Sequence, residues 1–64
     1  MRLAVWLRQN HLTNLEFARR LGVSHTTVGR WISGETFPHP DTLRHIAAIT
    51  EGDVTYSDFF SELT

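Results

Sequence analysis

Apolar residues recur along this chain at spacings of three and four from one end to the other. Leu3, Trp6 and Leu7 share one helical face and give way to Arg8, Gln9 and Asn10. Phe17, Ala18 and Leu21 repeat the pattern, and Val28, Trp31 and Ile32 repeat it again. Leu43, Ile46, Ala47 and Ile49 form a fourth apolar face, and Phe59, Phe60 and Leu63 a fifth. No segment alternates apolar and polar residues as a half-buried strand does. The pattern predicts an all-α fold of five short helices around one core.

Capping residues set the expected boundaries. The first helix runs from about Arg2 to Gln9 or Asn10. Thr13-x-x-Glu16 has the form of a capping box and opens a helix from about Asn14 to Leu21. Ser24 caps a third helix, which runs to about Ser33 and stops at Gly34. Residues 35–39 read as a loop. Pro40 reads as the first residue of the fourth helix, with His39 at the cap position and Gly52 beyond its end. Thr55-x-x-Asp58 is a second capping box opening the fifth.

Only Gly22-Val23-Ser24 separates the second helix from the third. On the third, His25, Thr26, Gly29, Arg30 and Ser33 lie opposite the apolar face. They offer donors, acceptors and one guanidinium, and no large apolar side chain. Two helices joined this tightly, the second with a polar outer face, are the sequence form of a DNA-reading helix-turn-helix, here at about residues 14–33.

The stretch LEFARRLGVSHTTVGRWISG, residues 15–34, resembles the helix-turn-helix of the Cro and phage-repressor (Xre-type) family of bacterial and phage transcription regulators. Small Ala18 sits where the two helices cross, and Gly22 four residues later where the turn needs φ > 0. Phe17, Leu21, Val23, Val28 and Trp31 occupy the pattern's interior sites. Trp31-Ile32-Ser33-Gly34, then Pro38 and a helix bearing Leu43, are also similar to the family, so the resemblance runs from about Leu3 to Phe60. One feature departs from it. Many members carry a Glu two residues before the glycine that here is Gly34, paired with an Arg of the first helix. Ile32 stands there, and Arg8, which matches the Arg, lacks that partner.

The resemblance implies a phage-repressor-like DNA-binding domain and sequence-specific binding to double-stranded DNA. The expected role is a transcriptional regulator, a small repressor of a phage or mobile element. Its expected partners are an operator and a second copy of itself, at least on DNA. No cofactor or small-molecule ligand and no enzymatic activity are expected. Two other readings remain open on the sequence. One is a protein-interaction module on the same fold, antitoxin-like or polymerase-binding. The other is a DNA-binding accessory factor in recombination.

The N-terminal part of a recognition helix enters the major groove. His25 and Thr26 follow the cap and lie deepest, and Arg30 stands one turn further on the same face. An arginine fork can grip guanine O6 and N7 together, and Thr26 can offer a hydroxyl to a base or a methyl to thymine. In the family, the residues matching His25, Thr26 and Arg30 are frequent base contacts. Asn14, Ser24, Thr27, Ser33, Arg19 and Arg20 are candidates for the DNA backbone, which fixes docking without reading sequence. Arg19 and Arg20 also complement the dipole at the end of their helix. Glu35 follows the third helix, where many members are basic, and weakens the local phosphate site. Gly29 costs about 0.5–1 kcal/mol inside a helix. It reads either as clearance for the groove wall or as simple tolerance at an exposed site. Trp6 and Trp31 fit apolar faces and belong to the core. Phe59, Phe60 and Leu63 put more apolar surface on the fifth helix than so small a core needs, and mark a dimer interface.

Composition narrows the rest. Sixty-four residues are expected to form a single domain, 1–64, burying about 60% of its unfolded surface, with little room for a catalytic cleft. The absence of cysteine excludes disulfide and thiolate chemistry. No apolar run approaches the ~20 residues of a membrane span, and no signal peptide is evident, so the expected location is the cytoplasm, at the bacterial nucleoid. His39 and His45 are off-register on a helix and no metal is expected. The net charge of −1 conceals a division. Residues 1–34 hold five arginines against Glu16, a net +4, while residues 35–64 hold Arg44 against six carboxylates, a net −5. That asymmetry suits one surface turned to phosphates and another turned away.

Overall fold

Residues 1–59 are described by a computed structural model, and their helices follow the capping signals closely. In order they are α1 (Leu3–Gln9), α2 (Asn14–Leu21), α3 (His25–Ser33) and α4 (Pro40–Ile49), then a short 3-10 turn, Tyr56–Phe59. Phe60 and Leu63, two of the expected dimer residues, lie outside the described residues. All helices among the described residues are short, and none is long and apolar enough to cross a membrane.

Three of the four helices begin where the sequence supplies an acceptor or removes a donor, whereas α1 follows Arg2 with no side-chain cap. Thr13 accepts a hydrogen bond from the Glu16 N–H, and the Glu16 carboxylate accepts one from the Thr13 N–H at 3.0 Å, closing the capping box of α2. Ser24 accepts from the Thr27 N–H at the start of α3. Pro40 opens α4 after His39, whose side chain makes no cap bond. The ends of α2 and α3 close in the same way. Gly22 and Gly34 adopt left-handed φ values of 77° and 84°. The following N–H then turns back to the helix: Val23 donates to the Ala18 carbonyl, and Glu35 to the Arg30 carbonyl, both at 3.0 Å.

The core lies where α1, α2, α3 and α4 converge. Phe17, Ala18, Val28, Ile46 and Val54 are wholly buried, joined by Leu3, Trp6, Leu7 and Trp31. The Trp6 and Phe17 rings stand tilted at 57° with centroids 5.8 Å apart, fixing α1 against α2. Leu12, Leu21, Val23, Ile49 and Phe59 pack around this centre. Thr50 is buried too and fully satisfied: its hydroxyl donates to the Ile46 carbonyl at 2.8 Å and accepts from the Val54 N–H at 3.1 Å. It ties the segment after α4 back onto the core and seats Val54 within it.

Three expectations need correction. Ile32 is 38% exposed rather than inward. The buried stripe of the nine-residue α3 is centred on Val28 and Trp31, and Ile32, 100° around from Trp31, falls on the rim of a small recess with Arg2, Ala4 and Phe59. In α4 only Ile46 is buried, while Leu43, Ala47 and Ile49 are half-buried, and the helix ends at Ile49, before Gly52. Where a fifth α-helix was expected, residues 56–59 form the 3-10 turn instead. The Asp58 N–H donates to the Thr55 carbonyl at 3.0 Å, and Asp58 Oδ2 accepts from the Thr55 N–H at 2.8 Å. That three-residue register is tighter than an α-turn. Asp58 Oδ1 also takes the Met1 ammonium at 2.9 Å. Burial pushes Asp58 up, but the Thr55 N–H, the Met1 ammonium and the Thr55 hydroxyl outweigh it and hold the carboxyl below its ordinary value.

Glu16 is held below the ordinary carboxylate range chiefly by the Thr13 N–H, then by the Thr13 side chain, with Arg20 and Arg19 adding to it. A depressed carboxylate adds stability above its unfolded value, about 4.3, and loses it as pH falls through the folded one. Glu16→Gln keeps an acceptor for the Thr13 N–H, so its thermal midpoint near pH 7 should change little. Its loss of stability between pH 5 and 3 should be shallower than that of the wild type. Circular dichroism melts across that range check this, and parallel acid limbs in the two proteins would contradict it.

The two glycines of α3, Gly29 within it and Gly34 at its end, divide in the same kind of test. A Cβ on Gly29 meets only Asn14 Nδ2, at 3.9 Å, an ordinary contact, whereas Gly34 needs its left-handed φ. Gly29→Ala should stabilise the fold by about 0.5–1 kcal/mol. Gly34→Ala should destabilise it by about 1 kcal/mol or more. Urea denaturation measures both, and a loss of stability in Gly29→Ala would show that the helix needs the glycine for itself.

Candidate nucleic-acid interface

The interface candidate is the outer face of α3, and its inner face explains why it can be presented rigidly. Val28 and Trp31 are buried against α2 and the core. Ala18, with no exposed surface, gives α2 and α3 their close approach. Gly22 turns the chain through a left-handed residue, and Ser24 caps α3 two residues later. The direction of α3 is therefore fixed from behind and from its first turn.

On the outer face the structure brings His25, Thr26 and Arg30 together along α3, all exposed. His25 and Thr26 are its first two residues, at the positive end of the helix dipole, where backbone N–H groups and partial charge favour an anion. Neither side chain makes a hydrogen bond within the described residues. Gly29 lies between them and Arg30. The Asn14 amide, at the first position of α2, stands 3.9 Å from where a Cβ on Gly29 would lie. Asn14 thus joins the α3 face, although it lies eleven positions before His25 in sequence.

The backbone candidates divide by what their polar atoms already do. Ser24 Oγ and Thr27 Oγ1 lie 2.9 Å apart, one donating to the other. The two hydroxyls hold two protons and this bond uses one, so the pair keeps one for a phosphate oxygen, which can only accept. The Ser33 hydroxyl donates its proton to the Arg30 carbonyl at 3.1 Å and must rotate before it can serve a phosphate. Arg19 and Arg20 occupy the last turn of α2, both exposed. Arg20 lines an open cleft of about 330 Å³ with Asn10, Glu51 and Asp53, to which α3 contributes no residue. The structure does not bring Arg20 to the α3 face.

Arg30, unlike His25 and Thr26, has a side-chain partner. Its Nε lies 3.8 Å from Oε2 of Glu35, with both side chains more than half exposed. The sequence reading of Glu35 as a weakened phosphate site missed this pairing. The signal for it was present: a glycine ending the helix brings the next residue back onto the residue five before it. The Arg8 side chain forms no ion pair within the described residues, in keeping with Ile32 at the position of its usual partner. Nor do the described residues hold any group of three or more His, Cys, Asp or Glu able to bind a metal.

The arrangement suits recognition: a polar helix face, held from behind, with a positive end and open donors. A family model described as helix-turn-helix matches residues 3–57. No curated protein and no solved structure matches the chain. The family match takes in all four helices, and the chain belongs to the helix-turn-helix family of Cro and phage-repressor type, the Xre-like regulators, which bind DNA to regulate transcription and are generally non-enzymatic.

Proposed function

We propose that this protein binds a specific operator through the outer face of α3 and represses transcription by occluding a promoter, as a small repressor of a phage or mobile element in the bacterial cytoplasm. The observation that carries this reading is the α3 face itself. His25, Thr26 and Arg30 stand exposed on a helix locked from behind by Val28 and Trp31. In this reading Arg30 grips a guanine, while His25 and Thr26 read the neighbouring bases. Asn14, the Ser24–Thr27 pair and Arg19 set the register on the backbone. Ser33 and Arg20 contribute only if their side chains move.

Charge supports the same orientation. Residues 1–34, which include α2 and α3, carry the net +4, and residues 35–64 carry the net −5. Such a dipolar chain is drawn to DNA with the helix-turn-helix leading. One α3 covers too few base pairs for tight binding, so two copies bind half-sites about one helical turn apart. The pairing surface is assigned to Phe59, Phe60 and Leu63, of which Phe59 itself packs partly against the core.

Selection from a random duplex pool supplies the operator, and binding titrations on it test the reading. Arg30→Ala should bind the selected site and a version changed at one guanine nearly equally, losing about 1–3 kcal/mol on the selected site. Arg19→Ala should weaken both duplexes alike and lower the slope of log affinity against log salt by about one. Uniform loss with retained preference in Arg30→Ala would make Arg30 a phosphate clamp and leave reading to His25 and Thr26. Affinity without salt dependence would point to a protein partner instead.

Dimerisation is tested separately by sedimentation. The wild type should load two copies on a two-half-site operator cooperatively, and Phe60→Glu should load them independently. A wild type that stays monomeric at high concentration and on the operator would overturn the dimer.

A further inference from the structure

Glu35 has no part in the reading above, and its sign is wrong for a residue beside DNA. Its position is nonetheless set by the backbone. Gly34 takes the left-handed conformation, the Glu35 N–H returns to the Arg30 carbonyl at 3.0 Å, and the Gly34 N–H to the Trp31 carbonyl at 3.3 Å. Helix ends of this form usually press an apolar pair together at these two positions. The end of α2 does so with Ala18 and half-buried Val23. At the end of α3 the same two positions hold Arg30 and Glu35, and the apolar contact is replaced by Nε and Oε2 at 3.8 Å.

We propose that Glu35 is a positioning residue for Arg30: its carboxylate holds the Nε edge of the guanidinium and leaves both terminal nitrogens for guanine O6 and N7. This rests on the reading of Arg30 as a base contact. An arginine has five donors in a fixed fork; at 3.8 Å the Glu35 carboxylate pairs with the Nε edge by charge rather than by a hydrogen bond, and that attraction limits the directions the other edge can take. In water the pair is exposed and contributes little. Against DNA the water is displaced, the attraction strengthens and the fork loses freedom. Glu35 also repels phosphates, but that repulsion is the same on every sequence. The two effects therefore separate: repulsion lowers affinity for all duplexes, and positioning raises the preference for one.

The experiment uses the full chain with the selected duplex and its guanine-altered counterpart. Glu35→Gln should bind the altered duplex more tightly than the wild type does, while its preference for the selected one falls about two- to fivefold. Glu35→Asp keeps the charge but not the reach. Its preference should fall too, without the general gain in affinity. In an Arg30→Ala background, Glu35→Gln should change both affinities by one common factor. Thermal midpoints of the Glu35 variants should match the wild type, which sets aside a folding effect. If Arg30→Ala loses preference and both Glu35 variants keep it, Glu35 only repels and the proposal is overturned while Arg30 remains the reader. If Arg30→Ala itself keeps its preference, the reading of Arg30 fails, and the positioning role is overturned with it.

Discussion

The close crossing of α2 and α3 is the constraint on which the rest of this structure depends. Ala18 has no exposed surface and shares the core of the two helices with the wholly buried Phe17 and Val28. A larger residue there would push α3 outward and tilt its polar face. The turn between the helices is short, with Gly22 left-handed and Ser24 already capping α3. In a domain this small, a rigid recognition helix needs both constraints. Packing holds its back, and the turn sets its angle and its first residue.

The outer half of the molecule supports that unit rather than extending it. Trp6 against Phe17 fixes α1, and Ile46 brings α4 to the same centre. Beyond α4 the chain would have little reason to stay. Thr50 supplies one, because a buried hydroxyl with both its donor and its acceptor engaged loses little on burial and orders the backbone around it. Val54 then adds a fully buried side chain from a segment with almost no regular structure.

Polar groups at helix ends do double duty throughout. Thr13 and Glu16 close one end of α2, and the Glu16 charge also answers Arg19 and Arg20 at the other. Ser24 and Thr27 cap α3 and still hold one spare proton beside the proposed DNA backbone. The end of α3 replaces an apolar contact with Arg30 and Glu35, and so couples a folding motif to a side chain of the recognition face. In a chain of 64 residues, few positions can be given to structure alone.

The sequence by itself determined the parts governed by local rules. Spacings of three and four set the four helices, and capping residues set both ends of α2 and α3 and the start of α4, because both depend only on neighbours within a turn or two. The helix-turn-helix and its polar face were legible for the same reason, and so was the core role of Trp6 and Trp31. The tertiary structure decided what depends on distant partners. Ile32 has an apolar side chain, but only the crossing angle of α3 reveals that its direction points to the rim. Thr50 and Val54 look like an ordinary helix end and loop until the core they enter exists. The 3-10 turn at residues 56–59 follows from a backbone register that a Thr-x-x-Asp spacing allows without requiring. Asn14 beside Gly29, and Arg20 facing Glu51 and Asp53 away from α3, are likewise set by how α2 packs, since helical periodicity fixes a residue's angle on its own helix and leaves open what stands opposite.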